Sequence, residues 1–106
     1  MPTYLFEVSY TLEGTKGLLA EGGSSRRDTV KKLVEGLGGK LQSFHYAFGE
    51  DDCYVIVDLP DDVTAAATSL AVGASGAASI TTKVLLAPEV IDEAAKKDVG
   101  YRPPGK

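Results

Sequence analysis

The sequence predicts an α+β domain whose strands and helices follow one another in the order βαββαβ. Three observations predict this class. Segments in which apolar and polar residues alternate, as in half-buried strands, occur near the start, at the centre and toward the end of the chain. Two segments between them repeat apolar residues at the spacing of an amphipathic helix. Turn-forming glycine and proline residues separate these segments.

Composition indicates one domain of ordinary globular character, spanning residues 1–106. The chain is 43% hydrophobic and 25% charged. Its only cysteine, Cys53, suits a reducing compartment, and its start lacks the features of a signal peptide, so we expect a cytoplasmic protein. The net charge of −4 disfavours nucleic acid, and without a long apolar run we expect no membrane partner.

The first strand is predicted from Thr3 to Tyr10, where side chains alternate between two faces. Residues 11–23 contain four glycines, which predict a loop with one helical turn at Leu18 and Leu19.

The first helix is predicted to begin at Ser25, which forms a capping box with Asp28, and to end at Gly38 and Gly39. Its apolar residues have helical spacing: Val30, Leu33, Val34 and Leu37.

A hairpin follows the first helix. Residues 40–48 and 53–59 alternate as strands, and the polar residues 49–52 form the turn between them. Pro60 ends the third strand, and Asp61 or Asp62 caps a second helix. The buried stripe of this helix is predicted to consist of Val63, Ala66, Ala67, Leu70 and Ala71.

The C-terminal part contains a last strand, from Ala78 to Leu86, and a short helix over residues 88–97 that begins at Pro88. Residues 98–106 cannot continue a helix and are predicted to form an extended tail, either unanchored or lying against a neighbouring subunit through Tyr101.

This order predicts the ferredoxin-like fold, a four-stranded antiparallel sheet with helices on one face. If the aromatic residues of the first strand face the helices, then Leu5, Glu7 and Ser9 lie on the open face. The second strand offers that face either Ser43, His45 and Ala47 or Phe44, Tyr46 and Phe48, and the third offers either Tyr54 and Ile56 or Val55 and Val57. In every case apolar side chains remain exposed, so we expect a homo-oligomer, a dimer or a multiple of dimers.

Several short motifs resemble the GYD domain family of small bacterial proteins. They are Pro2-Thr3-Tyr4, Tyr10-Thr11 followed by Gly14, Gly38-Gly39-Lys40-Leu41, Phe48-Gly49, Asp52, Val57-Asp58-Leu59-Pro60-Asp61 and, in one branch of the family, Tyr101-Arg102-Pro103-Pro104-Gly105. The resemblance implies a ferredoxin-like fold of the dimeric α/β-barrel type, and it implies no activity. The family motif of glycine, any residue, tyrosine and aspartate would fall on residues 49–52, where this chain has Asp51 in place of the tyrosine. Tyr54 or Tyr46 would then have to supply any phenol.

The candidate catalytic residues are His45, whose ordinary pKa lies nearest neutrality, and Glu7 as its possible partner across the sheet. A hydrogen-bonded, non-catalytic histidine is the alternative. The candidate ligand-binding residues, which would line a cavity at the sheet, are Tyr54, Tyr46, Ser9, Lys83 and Asp52.

A further candidate is an anion site at the start of the first helix, formed by Ser25, Arg26 and Arg27. The acidic turn supplies no alternating oxygen ligands, and one histidine with one cysteine is too few for zinc, so we expect no metal site. Cys53 borders an acidic residue and an apolar strand, which favours an inert, protonated thiol.

Two functions remain open. The sequence contains no nucleophile and base pair and no cofactor-binding loop, which favours a homo-oligomeric binding or assembly module without a cofactor. The alternative is a small-ligand-binding protein or cofactor-independent enzyme with a cavity at the sheet face.

Overall fold

A computed structural model describes residues 1–106 and contains four strands and four helices. In chain order they are β1 (Thr3–Tyr10), α1 (Leu12–Glu21), α2 (Gly23–Gly36), β2 (Lys40–Tyr46), β3 (Cys53–Asp58), α3 (Asp62–Ala74), β4 (Ala78–Leu85) and α4 (Pro88–Ala95). The predicted α+β class and the βαββαβ order are confirmed, with α1 added before the first predicted helix. None of the helices combines the length and the apolar character needed to cross a bilayer.

The strands form one antiparallel sheet in the order β2-β3-β1-β4, which is the ferredoxin-like arrangement. At its centre Phe6 of β1 lies opposite Val55 of β3 on one side and Thr82 of β4 on the other. The β2–β3 pairing shifts register between Leu41 and Ser43.

The core lies between the sheet and the helices α2 and α3. Tyr4 and Val57 on the sheet and Val34 of α2 keep at most 1% of their surface exposed. The hydroxyl of Tyr4 also donates a hydrogen bond of 2.5 Å to Asp62 Oδ1 at the start of α3. This hydrogen bond and burial raise the pKa of Tyr4 to about 12, so the hydroxyl keeps its proton at neutral pH.

The predicted loop over residues 11–23 is wrong, because most of it is the helix α1. Thr11 caps this helix by accepting a hydrogen bond from Gly14 N at 3.2 Å. Gly14 lies so close to Ala77 that a Cβ atom would collide with the Ala77 carbonyl oxygen. At Gly14, the glycine therefore permits a close approach between backbones and does not mark a loop.

The predicted capping box of the following helix is also wrong. Gly22, with φ of 94°, turns the chain directly from α1 into α2, so α2 begins at Gly23. Ser25 therefore lies inside the first turn, and its hydroxyl donates to Glu21 Oε1 at 3.2 Å instead of capping the helix.

The predicted buried stripe of α3 faces outward in this chain. Val63 and Leu70 are 76% and 74% exposed, and the three alanines of the stripe are exposed as well. The other side of α3, with Ala65 and Ser69, faces the sheet. Asp61 caps the helix through Thr64 N at 2.8 Å, and the hydroxyl of Ser69 is hydrogen-bonded to that of Thr82 on β4.

The C-terminal arm, residues 86–106, is exposed at every position. Its helix α4 ends at Ala95, two residues before the predicted end, and none of its residues is buried. The radius of gyration is 17.0 Å, whereas a compact domain of this length has about 13 Å. The arm therefore extends from the body of the domain.

Candidate functional site

The open face of the sheet brings four of the sequence-predicted residues onto neighbouring positions. In one row across the sheet, His45 lies opposite Tyr54, and Tyr54 lies opposite Glu7. Lys83 lies opposite Leu5, in the adjacent row. The register thus settles the two choices that the sequence left open, with Ser43 and His45 of β2 and Tyr54 and Ile56 of β3 on the open face.

Glu7 and Lys83 form the central charged pair of this face. Lys83 Nζ lies 2.6 Å from Glu7 Oε1, and the Glu7 side chain is only 15% exposed. This ammonium is the one polar partner of Oε1, which is otherwise buried. A hydrogen bond to the Glu7 carboxylate, and then its negative charge, raise the pKa of Lys83.

Asp51 joins this cluster from the β2–β3 turn. Its Oδ1 accepts a hydrogen bond of 3.0 Å from the hydroxyl of Ser9. Burial, and then the negative charge of Asp51, raise the pKa of Tyr54. Sequence analysis missed Asp51 as a site residue, although its place in the family motif pointed to this position. The Asp51 carboxylate therefore lies close to Tyr54 on the open face.

His45 and Glu7 are not in contact. Tyr54 on β3 lies between them, so two strand spacings, roughly 9–10 Å, separate their backbones. His45 is exposed and forms no hydrogen bond through its side chain. The structure therefore does not bring together the acid–base pair that the sequence suggested.

Asp52 and Tyr46 lie away from the open-face cluster. Asp52 Oδ2 accepts from Tyr10 N at 2.8 Å, and its own N–H donates to Val8 O at the same distance, so Asp52 fixes the end of the sheet. Tyr46 is on the helix side, where its hydroxyl donates to Gly23 O at 3.2 Å.

The three predicted anion-binding residues diverge. Ser25 bonds to Glu21, and Arg27 pairs with Asp28 at 3.2 Å on the exposed side of α2. Arg26 alone turns toward the sheet and is half-buried. No group of three or more histidine, cysteine or acidic side chains lies close enough to hold a metal ion.

A second group of polar side chains lies under the helices, beside Arg26. Burial raises the pKa of Tyr10, of Tyr46 and of Cys53, in the last case to about 11, while the Arg26 charge lowers each of them by a smaller amount. Both phenols and the thiol are therefore protonated at neutral pH. This arrangement provides hydrogen-bond donors and contains no activated nucleophile.

The Cys53 thiol makes a testable contribution to alkaline stability. An unfolded thiol ionises near pH 9, whereas the folded one keeps its proton to about pH 11 because of burial and the nearby Asp52 charge. Stability from this group is complete below pH 9 and is lost as the pH rises to 11. We expect wild type to lose roughly 2 kcal/mol more unfolding free energy between pH 8 and 11 than Cys53→Ala. Urea unfolding at fixed protein concentration checks this, and parallel curves would contradict it.

The chain matches the GYD domain family over residues 4–95 of its 106 residues. No curated protein and no solved structure matches it. The match begins at the second residue of β1 and ends with α4, and it confirms the resemblance seen in the short motifs that lie within it. The motif over residues 101–105 lies outside the matched range. The chain therefore belongs to the GYD domain family.

Proposed function

We propose that this chain is a homo-oligomeric assembly module in which a second copy covers the open sheet face and receives the C-terminal arm. The observation that carries the proposal is the arm, which is exposed at every position from Leu86 to Lys106. A helix of eight residues is marginal in water without packing contacts. Residues 88–95 therefore need a surface, and the chain's own body does not supply it.

The side chains of the arm fit such a role. Val90 and Ile91 lie one helical turn from Ala94, and they are 42% and 55% exposed. The tail adds Val99 and Tyr101, which are 80% and 66% exposed. Ordering this apolar side against a second copy removes it from water at a gain of about 25 cal/mol per Å².

The open face supports the same arrangement. No helix covers it, and Leu5, Tyr54, Ile56 and Leu85 form its apolar part. The oppositely charged side chains of Glu7 and Lys83 lie among these apolar residues. Two copies of the face can therefore pack against each other without net electrostatic repulsion. The outward stripe of α3 is a further apolar surface, which leaves room for multiples of the dimer.

Sedimentation velocity at micromolar concentration tests the proposal. We expect a species of twice the chain mass of 11.1 kDa, and slowed amide hydrogen exchange in residues 88–95 when it forms. A single 11.1 kDa species at every concentration would refute the assembly. A dimer in which residues 88–95 exchange freely would refute the role of the arm.

A second candidate function, small-ligand binding at the open face, is favoured by Glu7. Its side chain is only 15% exposed on a face that no helix covers, and its Oε1 has the Lys83 ammonium, 2.6 Å away, as its one polar partner. Native mass spectrometry separates the two candidates. A small molecule retained by wild type and lost from Glu7→Gln would support a ligand site. If both proteins show only the mass of the polypeptide, the ligand site is refuted and the assembly function is the one that remains.

A further inference from the structure

The helices α2 and α3 leave an apolar chamber open above the sheet. Its volume is about 80 Å³, and its walls are almost entirely apolar, with Phe6 and Val55 from the sheet and Val30 from α2. The chamber leads into a wider cleft of about 360 Å³ between α1 and the end of α3. Both spaces share the side chains of Tyr10, Arg26, Val72 and Ala78.

Arg26 stands at the junction between the chamber and the cleft. It is half-buried, and its guanidinium takes part in none of the salt bridges of the chain. Arg27, the next residue, is exposed and has a carboxylate partner. A half-buried guanidinium beside apolar walls has lost part of its hydration and keeps five N–H donors to offer. No carboxylate of the chain lies within salt-bridge distance of the Arg26 guanidinium, which leaves it free to pair with an anionic ligand.

Tyr10 supplies a second donor at the same junction. Its hydroxyl is neutral at physiological pH because burial raises its pKa, and it lies beside the Tyr46 hydroxyl, which itself donates to Gly23 O. A carboxylate that meets Arg26 can replace Tyr46 as the acceptor for the Tyr10 hydroxyl. Charge-assisted hydrogen bonds of this kind are the strong ones in proteins.

Two carboxylates at the wider cleft limit the charge of a ligand. Glu21 accepts from Ser25, and Glu13 lies 3.9 Å from Lys16, so each has a partner of its own. Their negative charge still disfavours dianions such as phosphate. The apolar chamber favours a ligand whose remaining part is hydrocarbon.

We infer that the helix-side cleft binds a small apolar monocarboxylate, with its carboxylate on Arg26 and Tyr10 and its hydrocarbon part in the chamber under α2 and α3. The site lies on the opposite side of the sheet from the proposed subunit interface. It therefore does not depend on the proposed assembly function.

Titration of the full-length protein with hexanoate, followed by NMR, tests this inference. We expect saturable shifts at Val72 and Ala78, and much weaker effects from 1-hexanol or inorganic phosphate at the same concentration. Arg26→Gln should weaken hexanoate binding at least about tenfold, because it removes a charge-assisted contact. Arg27→Gln, the matched control, should change it by less than about twofold.

Val72→Phe provides a second variant that keeps Arg26 and fills the chamber. It should block hexanoate while the far-UV circular dichroism stays that of wild type. The inference is overturned if hexanoate causes no shifts, if the shifts fall on Leu5 and Ile56 instead, or if 1-hexanol or phosphate binds as tightly as hexanoate. It is equally overturned if Arg27→Gln weakens binding as much as Arg26→Gln.

Discussion

Ile56→Arg is expected to separate the assembled protein into single chains. Ile56 lies opposite Leu5 at the centre of the open face, where no helix of the same chain covers it. In a two-fold symmetric interface each face meets itself, so the substitution places two like charges in one buried region. An unpaired buried charge costs several kcal/mol. The dissociation constant should therefore rise by at least about a hundredfold.

A sedimentation concentration series measures this effect, with Leu19→Arg as the matched control. Leu19 is 82% exposed on α1, on the helix side, so the same change of charge should leave association as in wild type. Circular dichroism shows whether each variant is folded. If Ile56→Arg does not fold, Ile56→Thr takes its place, because it removes apolar surface from the open face and keeps a β-branched side chain in the strand. Equal association of Ile56→Arg and wild type would show that the open face is not the interface.

The predicted elements that match the structure are those that depend only on residues close together in the sequence. The alternation of β1 grouped Tyr4 with Phe6 on one face and put Glu7 on the other, and the structure shows that the first of these faces is the core. Asp61 was one of two predicted caps, and it is the residue that caps α3. Strand alternation and helix capping both involve residues within a few positions of one another, so they can be recognised from the sequence alone.

The predictions that are wrong concern elements whose structure depends on contacts with residues far away in the sequence. The glycines of residues 11–23 look like loop residues, yet Gly14 is required because the Ala77 backbone, far along the chain, lies against α1. The apolar stripe of α3 has helical spacing, yet hydrogen bonds to Tyr4 and Thr82 turn the other side of the helix inward. Neither contact can be seen before the fold is known.

The candidate site shows the same division. Glu7, Ser9, Tyr54 and Lys83 share one face because strand alternation places them there. Their partner Asp51 comes from a turn, whose side-chain directions alternation does not predict. Arg26 and Arg27 are adjacent and chemically identical, and only the rotation of α2 against the sheet separates the half-buried one from the exposed one.

Gly39→Ala is expected to be strongly destabilising. Gly39 lies between α2 and β2, where an added Cβ would collide with the Asp58 carbonyl oxygen and press on the side chains of Leu59 and Val34. These two side chains are 0% and 1% exposed, so neither can move aside into solvent. Moving the Asp58 backbone would disturb its pairing with Lys40. We expect a loss of about 3 kcal/mol of unfolding free energy, as for severe overpacking of a core.

Gly36→Ala separates this collision from the general effect of replacing a glycine. Gly36 ends α2 three residues earlier, and a Cβ there would meet nothing within 4 Å. The alanine should favour the helix and raise stability by up to about 1 kcal/mol. Urea unfolding of both variants at one protein concentration measures the difference. If Gly39→Ala lowers the unfolding free energy and Gly36→Ala raises it, the effect at Gly39 comes from the contact with Asp58. If both variants lose the same unfolding free energy, the end of α2 tolerates no added side chain, and the collision with Asp58 is not the cause.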